Sequence, residues 1–336
     1  MKKYERYSRQ IVLDKIKESG QEKLAKSKVV IIGCGALGTT IANNLARSGI
    51  GHIKLVDRDI LELNNLHRQA LFDEDDIGLP KASTAVKKLK KINSEIKIES
   101  VDDDVNHENI ESIIKNMDVV LDGTDNMLIR FLISDACTKH NIPWVYGGAI
   151  QTYGMSMTII PGKTPCLRCV INDIPEAGLL PTCATVGVLN TIPGIIGCIE
   201  STEALKILLN KDVNKGLLSY DVWNHDFNII KVKKKKDCEC CGKHNFEFLN
   251  AKKRETMISL CGSGAIQVIP VKTTKISFEE LAKKLEKLGD VYVHDVVLRF
   301  KIPGYELNIF KNGRAIVLGT NDKNIAKSLY SKYIGI

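Results

Sequence analysis

An α/β fold is predicted: a doubly wound, mostly parallel sheet with an antiparallel extension, followed by a small α+β domain. Three observations carry this. A glycine-rich turn joins a short apolar strand to a helix, apolar strands alternate with helical patterns up to about residue 150, and strands then follow one another directly. Residues 1 to 25 read as a polar leading helix. KVVIIG (Lys28 to Gly33) is a buried strand entering the turn, and LGTTIANNLARSG is the helix after it, which opens a βαβ unit. HIKLVD (His52 to Asp57) ends in an acidic residue, and IKIESV, MDVVLD and PWVYGG continue the alternation. From Gly154 come GMSMTII, a crossover containing cysteine and proline, the helix PGIIGCIESTEALKILLN, and the strands LLSYDV and FNIIKVK, which extend the sheet in antiparallel sense. A boundary is expected between residues 246 and 247. The ISLCGSGAIQVIP, SFEELAKKLEKLG, VYVHDVVLRFKIP, ELNIFKNGRAIVLG and NDKNIAKSLYSKYI segments beyond it form the small domain, with a capping box at Ser277 and Glu280 and a hairpin turn at Asn312-Gly313.

The chain has 336 residues, enough for a large α/β core and something smaller. Hydrophobic residues at 44% and charged residues at 26% exclude a disordered chain. No apolar run approaches the roughly 20 residues that cross a bilayer, and MKKYERYSRQ has no signal-peptide core, so a cytoplasmic protein without a membrane partner is expected. The net charge of +8 comes from lysines scattered over helical faces, and the dense run Lys233 to Lys236 has no interleaved aromatics. Nucleic acid is therefore not an expected partner, whereas the excess charge would steer an acidic protein.

Gly33-Cys34-Gly35-Ala36-Leu37-Gly38 matches GxGxxG between strand and helix, where backbone N–H groups approach a phosphate. Asp57 follows Gly33 by 24 positions and suits a ribose hydroxyl, which makes the fold Rossmann-like and the ligand a nucleotide. Asp59, Asn65, Arg68, Gln69 and Lys81 come directly after, a cluster that a triphosphate needs and a dinucleotide does not. Arg68 and Lys81 would neutralise a departing pyrophosphate while Asn65 donates to phosphoryl oxygens. The plainer alternatives are an Arg68–Asp59 surface pair and a Lys81 at a helix start. Asp122-Gly123-Thr124-Asp125-Asn126 lies past MDVVLD, at the strand end where such sheets bind ligands. There Asp125 would hold Mg²⁺ on ATP phosphates, with Asn126 beside it and Arg130 ordering loop or nucleotide; helix capping by Asp122 or Asp125 is the competing account.

Together, RYSRQ, GCGALG, VDRD, NNLHRQ, GLPK, DGTDN with Arg130, PCLRC and the helix ending in EALK resemble the MoeB/ThiF family, relatives of the ubiquitin-activating enzymes, from Arg6 to about residue 242. The resemblance implies Asp57 at the ribose, Asn65, Arg68 and Lys81 at the phosphates, Asp125 at magnesium, and Arg9 reaching the ATP of a neighbouring subunit in a homodimer. His67 then occupies the variable position of NNLxRQ as a spacer.

Of ten cysteines, Cys166 and Cys169 form one CxxC pair and Cys238 and Cys241 another; four thiolates close a tetrahedral structural site for Zn²⁺, and the resemblance implies the same. A redox dithiol would leave one pair idle. Cys183 in LPTCATVGVLN is either a packed thiol or a nucleophile that joins in acyl or sulfur transfer. Cys34, Cys137, Cys198 and Cys261 have apolar neighbours and read as core.

The activity implied is adenylation of the C-terminal glycine carboxylate of a ubiquitin-like sulfur carrier, ThiS-like or MoaD-like, for thiazole or molybdopterin synthesis. The sulfur donor would be a separate protein, since the C-terminal domain is not a rhodanese. Two rival readings remain: an NAD-dependent oxidoreductase, supported by GxGxxG and Asp57, and a non-catalytic nucleotide-binding scaffold.

Overall fold

The computed structural model describes residues 4–173, 183–251, 257–260, 264–270 and 275–335. Its strands are β1 (Lys28–Ile32), β2 (His52–Val56), β3 (Lys97–Val101), β4 (Val119–Asp122), β5 (Trp144–Ile150), β6 (Tyr153–Ile159), β7 (Leu217–Asp221), β8 (Asp226–Ile230), β9 (Met257–Leu260), β10 (Ala265–Val268), β11 (Asp290–Val293), β12 (Val297–Ile302), β13 (Tyr305–Phe310) and β14 (Ala315–Leu318). The α-helices are α1 (Ser8–Ile11), α2 (Lys17–Leu24), α3 (Ala36–Ser48), α4 (Lys81–Ile92), α5 (Ile110–Ile114), α6 (Met127–Lys139), α7 (Cys183–Val186), α8 (Thr191–Leu208), α9 (Phe278–Leu285) and α10 (Lys323–Tyr333). The chain divides into two compact units near residue 251.

In the first unit eight strands run in the order β3-β2-β1-β4-β5-β6-β7-β8. The pairs from β3 to β5 are parallel, and β6, β7 and β8 add antiparallel ribbons. Burial on both faces explains the unbroken apolar strands. Val29 and Ile31 of β1 join one core with Ile41 and Leu45 of α3, Leu89 of α4 and Ile196 of α8, while Val30 and Ile32 join another with Ile113 of α5 and Phe131 and Ile133 of α6. The reversal of strand order beside β1 leaves a crevice at the carboxyl ends of β1 and β4, where both loops predicted to bind nucleotide emerge.

The leading segment differs from the single predicted helix. It breaks into a 3₁₀ turn at Glu5–Tyr7, then α1 and α2, because the chain turns at residues 12–16 and Lys17 takes a left-handed φ of 56°. Lys233 to Lys236 follow β8 as exposed, irregular chain.

The second unit is an antiparallel sheet ordered β11-β12-β13-β14-β10-β9. Phe278, Leu281, Ala282 and Leu285 of α9, at spacings of three and four, and Ala326 and Tyr330 of α10 share a core with Ile266, Leu298, Phe300, Leu307, Ile309 and Val317. VYVHDVVLRFKIP makes two strands, since His294 N–H bonds back to Val297 and closes a turn. Ser277 caps α9 through the Glu280 N–H at 3.4 Å. At the β13–β14 hairpin, Gly313 takes φ 87° and Asn312 Oδ1 accepts from Arg314 N–H at 3.1 Å.

Candidate active site and metal centre

Three glycines, two in the β1–α3 turn and one after β4, are required by backbone contact. A Cβ on Gly33 would stand 2.4 Å from Gly123 O, one on Gly38 1.8 Å from Gly33 O, and one on Gly123 2.4 Å from Gly33 O. The GxGxxG turn and the DGTDN loop are thus pressed together. Gly35 is different: its nearest protein neighbour would be Gly123 O at 3.7 Å, so packing does not explain the missing side chain. It is the N-cap of α3 and no side chain caps that helix, which leaves first-turn N–H groups facing a cradle that a Cβ would partly fill. A nucleotide phosphate fits this observation.

Asp57 closes the turn from the β2 side. Its Oδ2 accepts from Cys34 N–H at 2.5 Å and its Oδ1 from Asp59 N–H at 2.7 Å, so the carboxylate fixes both loop backbones. Burial pushes Asp57 up to about 6 against the pull of Lys81. Lys81, buried at the start of α4, meets Asp59 at 3.2 Å. Burial works against its charge, but Asp59, Asp57 and Asp125 together hold the ammonium above its ordinary range. Lys81 is more than a helix-start residue, being the cation on which carboxylates from the segment after β2 and from the DGTDN loop act.

Arg68 does not pair with Asp59; that carboxylate takes Lys81 and, at 3.7 Å, Arg58. Arg68 Nη1 donates to Asn64 O at 2.7 Å and, among the described residues, forms no ion pair, so its charge is available. His67 shares Asn64 O at 3.0 Å. Asn65 is buried, with Oδ1 accepting from Glu62 N–H at 3.3 Å and Nδ2 donating to Asn64 Oδ1 at 2.5 Å. Much of its polarity therefore serves the local turn.

The DGTDN loop is organised by a buried ion pair. Arg130 Nε donates to Asp122 Oδ2 at 2.9 Å, and Nη2 donates to Thr124 O at 2.6 Å and Gly147 O at 2.9 Å. Asp122 Oδ1 accepts from the Thr124 N–H and hydroxyl at 2.9 and 2.7 Å. Arg130 orders the loop. The cap of α6 is Asn126, whose Oδ1 accepts from Leu128 N–H at 2.9 Å, which commits that oxygen to the helix. Asp125 is left exposed, with no hydrogen bond or ion pair among the described residues, and its charge is felt by both Lys81 and Arg130. Arg9 is exposed on α1. Sequence reasoning missed Glu200, which lies fully buried on α8; its place in the row Ile192, Ile196, Glu200, Ala204 was the available signal.

Cys166, Cys169, Cys238 and Cys241 converge, with all four Sγ atoms within 4.8 Å of one another. The Cys166–Cys169 separation is 3.9 Å, and Cys166–Cys238 and Cys169–Cys241 are 3.5 Å, against about 3.8 Å for tetrahedral thiolates on zinc. Lys235 N–H points at Cys169 Sγ at 3.5 Å, and Gly242 and Lys243 N–H turn back to Cys238 O, as a metal knuckle requires. Cys240 stands aside, against Ser134 and Thr138 of α6. The cluster can hold a metal ion such as zinc. Cys183 begins α7 and its side chain lies outside the described residues, as does Cys261. Cys34 and Cys137 are buried, but Cys198 is exposed: its apolar neighbours belong to the outward face of α8.

Family and relatives make this chain an enzyme of the adenylyltransferase class. The sequence pattern of the ThiF family matches residues 7–241, and the chain belongs to that family. It is 36% identical over 335 residues to the sulfur carrier protein ThiS adenylyltransferase of Bacillus subtilis (strain 168), covering 98% of this chain and 99% of the relative. It is 38% identical over 240 residues to the SAMP-activating enzyme E1 of Haloferax volcanii, covering 71% and 88%. Among solved structures, E. coli MccB superimposes with a TM-score of 0.64 at 24% identity, over 71% of this chain and 73% of that one, which supports the fold. Among the described residues no helix is long and apolar enough to cross a membrane.

Proposed function

We propose that this chain adenylates the C-terminal glycine carboxylate of a ubiquitin-like sulfur carrier, ThiS-like in kind, for thiazole synthesis. The observation that carries the reading is the pairing of Gly35, whose side chain is missing for no packing reason, with Lys81, the buried cation on which Asp57, Asp59 and Asp125 act. The ThiS relative aligns through the second unit as well, which favours that carrier over a MoaD-like one.

The carrier carboxylate attacks the α-phosphorus of ATP, the bond to the bridging oxygen breaks, and pyrophosphate leaves. No general base is needed because the carboxylate is already ionised. Asp57 accepts from ribose while holding the Cys34 and Asp59 amides. First-turn amides of α3 line the phosphates, and Lys81, Arg68 and the free N–H of Asn65 meet charge that grows on the leaving group. Asp125 would hold magnesium, which neutralises and bends the polyphosphate when bound. A zinc ion on the four cysteines is structural, because four thiolates leave no open position. Arg9 acts on the nucleotide of the partner in a homodimer, sulfur comes from a separate donor, and Cys183 remains a candidate acceptor of the acyl group. The segment from Asp59 to Lys81 carries the triphosphate cluster that an oxidoreductase reading leaves unused.

ATP–pyrophosphate exchange with magnesium and ThiS-like or MoaD-like carriers tests this. Exchange dependent on the ThiS-like terminal glycine is expected, and Asp125→Ala should abolish it; exchange with the MoaD-like carrier alone would reassign the pathway, and none with either would overturn the reading.

A further inference from the structure

Glu200 is fully buried, and neither of its carboxyl oxygens has a hydrogen-bond partner among the described residues. It lies in the apolar row of α8 and presses on β5, where a Cβ at Gly147 would stand 1.8 Å from Glu200 Oε1. Glycine at 147 is what admits the carboxyl. The carbonyl of that same Gly147 receives Arg130 Nη2, and Arg130 in turn holds Asp122 and Thr124. Glu200 therefore stands directly behind the anchor of the residue that organises the DGTDN loop. The ionisable groups acting on it are Asp122 of β4 and Arg130 of α6, with Tyr146 of β5 beside them, and Arg130 lies 5.2 Å from the Tyr146 ring. Among the described residues no other charged group acts on it, from its own helix or from α3 and β6, which also pack against α8.

Burial and the nearby Asp122 push Glu200 well above the usual carboxylate range, against the pull of Arg130, and so favour its neutral form. A second carboxylate here would compete with Asp122 for one guanidinium.

We propose that Glu200 is a positioning residue for the Asp122–Asn126 loop: as a neutral acid it leaves Arg130 to Asp122, Thr124 and Gly147, and on losing its proton to solvent it draws Arg130 away and loosens the loop that carries Asp125. The catalytic consequence rests on the adenylation reading, whereas the effect on the loop does not.

Glu200→Gln keeps the shape and stays neutral at every pH. Two profiles are compared between wild type and this variant from neutral to alkaline pH: hydrogen-exchange protection of the Thr124 amide, corrected for intrinsic rate, and kcat/KM for Mg·ATP in pyrophosphate exchange. In wild type both should decline together, kcat/KM by about tenfold per pH unit once the acid ionises. Glu200→Gln should match wild type at neutral pH and hold both values beyond it. Coincident Thr124 protection profiles in the two proteins would overturn the proposal. Exchange absent from both proteins while Thr124 protection still differs would sink the adenylation reading and leave the positioning role standing.

Discussion

At the scale of single residues, the glycines of one motif do different work. Gly38 faces Gly33 O at a distance no side chain tolerates, while Gly35 faces open space. Gly38→Ala should therefore cost about 2 kcal/mol or more of stability. Gly35→Ala should cost about 1 kcal/mol or less, the difference between glycine and alanine at an N-cap, yet weaken ATP binding at least about tenfold. Urea denaturation and calorimetric titration with ATP separate the two effects, and equal stability losses would remove the argument for a ligand at Gly35. The motif was plain in the sequence, but its division of labour was not, because Gly123, which crowds Gly33 and Gly38, lies 85 positions beyond Gly38. The same holds for Asn126 and Arg130: the sequence placed Asn126 beside a ligand and left Arg130 to order either loop or nucleotide, and only the fold shows Asn126 capping α6 and Arg130 spanning Asp122, Thr124 and Gly147.

Among elements, the cysteine knot and α6 are tied by buried polar groups. Asp135 of α6 is fully buried, with Oδ2 accepting from Phe248 N–H at 3.0 Å, while the Arg168 guanidinium lies over the touching Phe131 and Phe248 rings, 5.8 and 5.3 Å from their centroids. Burial pushes Asp135 from 3.8 to about 6. Between those values the folded chain keeps a proton that the unfolded chain has lost, so stability falls as pH rises through the window and stays lower above it. Asp135→Asn should remove that slope and stabilise the protein at pH 7 by about 1–3 kcal/mol, read from denaturation at pH 4 and 7. A slope unchanged in the variant would refute the assignment. A chelator should act in the opposite direction, lowering the melting temperature of the first unit until zinc is restored, because the binding free energy of an ion held only by the folded, converged cysteines is then lost. An unchanged melt with metal analysis showing no zinc would make the cluster a set of packed thiols.

For the whole molecule the expected state is a homodimer in which Arg9 of one subunit serves the other. Arg9→Ala and Asp125→Ala proteins should each be inactive, and co-refolding them in equal amounts should restore roughly a quarter of wild-type exchange, since only mixed dimers hold one intact site. No recovery in confirmed mixed dimers would place Arg9 outside the site. The parallel sheet, its antiparallel extension, the glycine turn and the two CxxC pairs were all legible in the chain, since each depends on local periodicity or short spacing. The break in the leading helix and the exposure of Cys198 were not, because packing overrode local pattern. By itself the sequence determined the strand–turn–helix grammar and the ligand types, which follow from neighbouring residues. Only the tertiary structure decided which polar groups are committed to scaffold and which are left for a ligand. That division depends on burial and on partners far apart in the chain: Asp57 with Cys34, Lys81 with Asp59, and Glu200 against Gly147.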